Sequence, residues 1–428
     1  DLAANIWNNT DEVIDGLDND GNGYIDDVRG YDFVNTTNPV WPGEDGIDPD
    51  NDPMDFHGHG THCAGIAAAT TNNSIGIAGV SWNCKIMPLR AGYKSDAGGG
   101  NFETENVVAA IVYAADNGAK IISMSWGGYE YDALLHEAVK YAYNRDVLMV
   151  AAAGNEETSL ELYPAAFDEV VAVTATRSDD KPAQFTNFGG WVEIAAPGVN
   201  ILSTVWNNSY RYADGTSMST PHVAGVAALI WSHFPRMSRD WVRLQLRYTT
   251  DDLGDLGFDD YYGYGRVNAR KAVEQIQPHD LLISDWQRPL YVNPGKLGLV
   301  NTTVLNFGTS DENGVSVRLV VNGSVVASTI IQFLASGATA AVSCPWRPTV
   351  EGTYNIMSHV VPAAGETVTE NNFISAYVYV GFPAKALVLD SAGTDLAGIE
   401  TWQELNTKWY MFGKKMIFID YSTLNKEN

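Results

Sequence analysis

The feature that most limits how this chain can fold is a change of grammar at Pro278. Between Ile75 and Ala175, short apolar runs (KIMPLRA, KIISMSWG, VLMVAAAGN, VVAVTAT) take turns with stretches of helical length (ENVVAAIVYAADNGA, DALLHEAVKYAYNRD). Such alternation predicts parallel strands joined by helical crossovers, because parallel neighbours need a long connection and a sheet so built must be covered on both faces. The expected fold class over residues 1–277 is therefore α/β, a parallel sheet with helices on both faces. A further helix is expected from near Ser217 through HVAGVAALIWSHF.

Past Pro278, segments such as DLLISDW, LGLVNTTVLNFG, VSVRLVVNG, SVVASTIIQFL and NNFISAYVYVG alternate with a period of two and are parted by Gly, Asn and Pro. This predicts an antiparallel β-sandwich over 280–381. Through VNPG, TVLNFG, VNG, EGTYNI and ENN it resembles the CARDB-type, immunoglobulin-like modules of secreted prokaryotic enzymes, which implies a binding or spacing role toward a cell surface or polysaccharide. From Ala384 a strand (KALVLD), a Trp-rich helix around Trp402 to Trp409 and a strand (KMIFIDYS) restart the first pattern. One strand, helix and strand cannot cover both faces of a parallel sheet, so 384–428 is expected to open a truncated α/β domain.

A chain of 428 residues exceeds what one core organises, in keeping with two or three domains. Its net charge of −26 disfavours nucleic acid and anionic membranes as partners and fits solubility outside the cell. Cys63, Cys84 and Cys344 are too few for a disulfide framework and read as buried free thiols. No run approaches the 18 or so apolar residues of a membrane span. The sequence starts at Asp1 rather than Met, so a signal segment is not expected to be visible in it.

Three segments hold the parts that nucleophilic acyl transfer needs: a base, a hydroxyl and preorganised donors for an oxyanion. HGHGTHCAGIAAA sets His59 at the start of a small-residue helix, VLMVAAAGN delivers Asn155 at a strand end, and GTSMSTPHVAGVAALI sets Ser217 at a helix N-terminus with Pro221 in the first turn. In this chain order, His then Asn then Ser, they resemble the subtilisin-like serine peptidase family across roughly Asp1 to Gln277. The resemblance implies that His59 is general base and acid, and that Asn155 and the Ser217 N–H hold the oxyanion. It further implies that Ser125, Trp126 and Gly127 pair with an extended substrate while Ala152, Ala153 and Gly154 form the opposite wall. Glu156 beside that pocket would favour basic or polar side chains. His62 and His222 read as structural, and His57 as a loop residue beside the cleft.

The family also carries a catalytic Asp at the end of its first core strand, ahead of the His motif. DLAANIW resembles the segment that follows that Asp by about ten residues, so the acid is expected upstream of Asp1, and the printed chain alone to be nearly inactive. Asp26, Asp27, Asp32 and Asp55 lie near enough in sequence to be asked whether they replace it. None ends an apolar strand.

Calcium is the expected metal. In LDNDGNGYIDD, Asp18, Asp20 and Asn22 alternate as oxygen ligands, Gly23 permits the turn and Tyr24 offers its carbonyl, as in the first half of an EF-hand loop. Arg29 stands where that loop has its closing Glu, leaving Asp26 or Asp27 to complete the shell; the other reading is a solvated acidic turn. TNNSIGIAG resembles the family's calcium loop, with Asn73 and Asp1 at matching positions, and reads otherwise as a polar hairpin. The whole is read as a secreted, extracellular endopeptidase acting on proteins or peptides. Its rival is an inactive subtilisin-like scaffold for adhesion.

Overall fold

The structure, a computed structural model, describes residues 1–381, so the further domain expected at 384–428 lies outside the described residues. The chain divides into one compact unit from Asp1 to Ile276 and a second beginning at Gln277.

In the first unit, β1 (Tyr31–Asp32) runs parallel to β2 (Leu89–Arg90), and β3 (Gly92–Lys94) forms a hairpin with β4 (Gly100–Phe102). A four-stranded parallel sheet follows, of β5 (Ile121–Met124), β6 (Leu148–Ala152), β7 (Val170–Thr176) and β8 (Ile194–Pro197), and then a hairpin of β9 (Ile201–Val205) and β10 (Ser209–Ala213). The helices are α1 (His59–Ala68), α2 (Thr104–Asp116), α3 (Ala133–Tyr143), α4 (Thr216–His233), α5 (Arg239–Tyr248) and α6 (Ala269–Glu274). Every residue of β6 and β7 is buried, which is why both read as unbroken apolar runs rather than alternating ones. Met149 and Ala151 of β6 meet Val107 and Ile111 of α2 and Leu135 and Val139 of α3 on one face. Along a strand successive side chains reverse, so Leu148 and Val150 face the other way, where α4 crosses all four strands.

β5 is the edge strand of the parallel sheet, and between that edge and the β2 segment lies a cleft of about 2470 Å³. Ile86 and Leu89 line one side and Ile121 and Ser123 the other, with Ile111 of α2 and Ala224 of α4 closing the two faces.

The second unit consists of two sheets. One contains β11 (Leu281–Gln287), β13 (Gly298–Asn306) and β16 (Thr339–Trp346); the other contains β12 (Tyr291–Val292), β14 (Glu312–Val321), β15 (Ser324–Leu334), β17 (Gly352–Val360) and β18 (Phe373–Val380). Inward residues Val300, Leu319, Ile356, Val378 and Trp346 share one core cluster, the two-residue period of these strands having selected them. All pairings are antiparallel except the short β12 with β18, which is parallel. All three cysteines are free thiols.

Candidate active site

His59 is the first residue of α1 and Ser217 the second of α4, and these helices pack against each other. One turn beyond His59, the Cys63 thiol donates to the Ser217 carbonyl at 3.3 Å, and Ser125 Oγ donates to the same oxygen at 2.9 Å. Burial pushes the Cys63 thiol up to about 12, so it stays an S–H donor. The Ser217 hydroxyl itself donates to the Ser125 carbonyl at 3.2 Å, and no hydrogen bond joins it to His59. Burial first, and then the neighbouring His57, lower the His59 imidazole to about 4, which keeps it neutral at pH 7 and able to accept a proton.

Asn155 leaves the end of β6 exposed, one residue past Gly154, whose φ of +105° and close approach to the Asn187 amide exclude a side chain. Its Oδ1 accepts from the Thr216 backbone N–H at 2.8 Å and from Thr216 Oγ1 at 3.1 Å. With the carbonyl end so engaged, Nδ2 is left as a donor directed away from Thr216, and it makes no hydrogen bond among the described residues. Thr216 thereby positions the amide next to the residue at which attack would begin. Asn187, fully buried, donates to the Ala153 carbonyl at 2.9 Å and accepts from Glu156 N–H at 2.9 Å, shaping the same turn. Neither Thr216 nor Asn187 stands out in the sequence, although Thr216 immediately precedes Ser217 in the motif.

Ser125, Trp126 and Gly127 continue from β5, and Trp126 packs on Phe102 with ring centroids 4.9 Å apart. Gly127 forms no backbone hydrogen bond among the described residues, as an edge able to receive an extended chain must. Ala152 and Ala153 are buried, and Gly154 N–H goes to Thr216 Oγ1, so this side can give a wall but not a pairing edge. The Glu156 carboxylate accepts through Oε2 from Tyr129 at 2.6 Å and from the Asn155 N–H at 2.8 Å, which ties that oxygen to the turn. His62 and His222 bond to backbone carbonyls of Arg211 and Met218.

None of the acids near His59 in sequence faces it through a hydrogen bond. Asp55 takes the N–H groups of His57, Gly58 and Thr61 at the start of α1; Asp26 takes those of Asp15 and Gly16. Asp27 accepts from Tyr113, and Asp32, which does close the short strand β1, is ion-paired with Arg90.

Of the metal candidates, the structure draws Asp20 and Asp27 together and adds Glu12, which the sequence reading passes over. Asp18 and Asp26 fall outside that group; Asp18 accepts from the N–H groups of Gly21, Asn22 and Gly23. The Asn22 Oδ1 accepts from the Tyr24 N–H at 2.8 Å. At the other candidate, Asn73 donates to Asp1 at 3.0 Å, and Asp1 also accepts from Ile77 N–H and the Tyr210 hydroxyl.

The profile of the subtilase family matches residues 5–265, more than half of the chain. The chain belongs to the subtilase family. The CARDB profile matches residues 278–375, on the sandwich. This subtilase is 42% identical over 246 residues to the thermophilic serine proteinase of Bacillus sp. (strain AK1), a match covering 58% of the chain and 56% of that protein. It is 44% identical over 232 residues to thermitase of Thermoactinomyces vulgaris, covering 54% of the chain and 80% of that protein. It is 42% identical over 234 residues to the halolysin-like extracellular serine protease Nep of Natrialba magadii, covering 54% of the chain and 42% of that protein. The chain thus spans only part of these relatives, little over half of the first.

If Asn155 serves this subtilase as an oxyanion donor, Asn155→Ala will lower kcat by about 10²–10³ with KM little changed, a magnitude known from subtilisin itself and carried over rather than derived. Steady-state kinetics on a peptide anilide checks it; an unchanged kcat removes Asn155 from the role.

Proposed function

We propose that this subtilase is a secreted serine endopeptidase that cleaves proteins through an acyl-enzyme. The observation that carries the proposal is the Asn155 amide, held through its oxygen by Thr216 at the mouth of α4, with its N–H end unused one residue from the Ser217 hydroxyl. His59 takes the Ser217 proton as Oγ bonds to the scissile carbonyl carbon, and Asn155 Nδ2 and the Ser217 N–H stabilise the oxyanion. The imidazolium then gives its proton to the leaving amine as the C–N bond breaks. Water, deprotonated by His59, hydrolyses the ester and returns the proton to Ser217. Substrate lies along Ser125 to Gly127, with Ala152 to Gly154 opposite. Secretion is supported by the acidity of the chain and by the extracellular relative, and the sandwich is assigned contact with a cell surface or polysaccharide.

Expressed from its natural start, the protein is expected to be labelled at Ser217 by a fluorophosphonate. Absence of labelling in the folded, naturally started protein would leave the adhesion scaffold as the reading.

A further inference from the structure

The sandwich carries an aromatic face that its core does not use. Side chains reverse along a strand, and Val378 and Val380 of β18 enter the core cluster, so Phe373, Ser375, Tyr377 and Tyr379 point outward. β17 lies alongside, with Asn355 opposite Tyr377 and Thr353 opposite Tyr379, and on the other flank β12 sets Tyr291 beside Tyr379. Tyr377 is 70% exposed, Phe373 50% and Tyr379 37%. Strand geometry puts Tyr377 and Tyr379 about 7 Å apart and Tyr291 about 5 Å across from Tyr379, so three phenol rings rise from one patch of sheet.

These rings are unengaged. Tyr354, on the inner side of β17, donates to the Val350 carbonyl at 3.0 Å and packs edge-on against Trp346 with ring centroids 5.4 Å apart. No such partner holds Tyr291, Tyr377 or Tyr379 among the described residues: their hydroxyls make no hydrogen bond and their rings meet no other ring or cation. Single exposed apolar side chains are ordinary, but a contiguous group of large ones marks a contact surface.

Charge decides what that surface meets. Between and beside the rings, β17 and β18 present Thr353, Asn355, Met357 and Ser375 outward, and no Asp, Glu, Lys or Arg. His359, opposite Phe373, is neutral at pH 7, its pKa lowered by burial first and then by Arg318. A cationic partner therefore finds no carboxylate here, although the chain carries 52 acidic residues. An anionic polymer, or a second copy of the chain, is repelled by the net charge of −26. An uncharged ligand remains, one with apolar faces for the rings and hydroxyls for Thr353, Asn355 and the tyrosine O–H groups. A pyranose offers both: its axial C–H bonds form an apolar face that is attracted to the negative face of an aromatic ring, and its equatorial hydroxyls lie at the rim.

We infer that Tyr291, Tyr377 and Tyr379, with Thr353 and Asn355 beside them, form a binding face for an uncharged polysaccharide. The inference rests on the reading that the sandwich contacts a polysaccharide, and gives that contact its residues. A sheet face suits a polymer lying along β18, stacked sugar by sugar from Tyr379 past Tyr377 toward Phe373.

The test uses the full protein expressed from its natural start and carrying Ser217→Ala, so that self-cleavage does not interfere. Native electrophoresis is run with hydroxyethyl cellulose, xyloglucan or galactomannan in the gel, and with polygalacturonate as the charged control. Retardation by at least one uncharged polymer, and none by polygalacturonate, is expected. Tyr377→Ala combined with Tyr379→Ala should weaken that binding about tenfold or more, through the loss of two stacked rings. Tyr377→Ala alone, at the most exposed of these positions, serves if the double variant does not fold. Ile330→Ala, exposed on β15 of the same sheet, should leave retardation as it is. Undiminished retardation of the double variant, or of Tyr377→Ala in its place, would overturn this site while leaving the polysaccharide reading standing. No retardation of the parent by any of the three polymers would overturn that reading and the site with it. A parent that sediments as a dimer and a double variant that sediments as a monomer would assign the face to a second copy instead.

Discussion

Replacing Ser217 by Ala is expected to lower kcat of the proposed peptidase by about 2 × 10⁶, and adding His59→Ala to lower it no further. The figure is that of subtilisin itself and is carried over; the non-additivity follows from the chemistry of a hydroxyl and its base. A hydroxyl is a poor nucleophile at neutral pH, and a neutral imidazole has nothing to deprotonate once the hydroxyl is gone. The two act as one unit, so the second loss removes nothing that the first has left working. Rate above water should remain in both variants, because Asn155 is held by Thr216 and not by Ser217 Oγ or His59. Single and double variants compared on one peptide substrate decide the matter. A double variant much slower than either single one would mean that His59 and Ser217 act independently, which the acyl-enzyme scheme does not allow.

The largest expected loss of stability lies away from the site, at Glu193. Its carboxylate is 4% exposed and is held by Arg243, at 2.9 Å from Nε and 2.5 Å from Nη2, and by Arg247 Nε at 2.6 Å. Arg243 also donates to the carbonyls of Asp168 and Val170, so this one anion fastens α5 to the start of β7 and the approach to β8. Glu193→Gln keeps the shape but leaves two guanidinium groups facing an amide, and is expected to cost about 3–5 kcal/mol in urea unfolding at pH 7. Burial by itself would raise this carboxyl, but Arg243 and Arg247 outweigh it and hold the pKa at about 2, below the ordinary 4.5. A depressed folded-state pKa adds stability above the unfolded value that is lost as pH falls through the folded one. The gap between wild type and Glu193→Gln should therefore be full above pH 4.5 and close toward pH 2. A gap that is constant across that range would show that the charge of Glu193 is not what stabilises the fold.

Much of the architecture is legible in residue order because it rests on periodicity. VVAVTAT is β7 from end to end, ENVVAAIVYAAD lies within α2, and the two-residue alternation past Pro278 becomes the sandwich. The amphipathic helix α5 does not stand out in the sequence, although Ser238 caps it by accepting the Trp241 N–H. Its apolar positions are interrupted by Arg239, Arg243 and Arg247, and the partner that makes two of those arginines suit a partly buried face, Glu193, is some 50 residues away. KIMPLRA yields only the two residues of β2, because a strand is defined by its pairing and the other side of this segment borders the cleft.

Local period is enough to specify the parallel core and the sandwich, and motifs a few residues long supply the residue types that a serine nucleophile, a base and an oxyanion donor would need. Only the tertiary structure decided the roles that depend on direction. It turned Asp18, Asp26 and Asp55 onto nearby N–H groups, paired Asp32 with Arg90, tied Glu156 to Tyr129, and aimed Asn155 through Thr216. It also drew Glu12 onto Asp20 and Asp27. Carboxylates and amides are alike in a sequence, and what each can do is fixed by the donors and charges that folding sets around it.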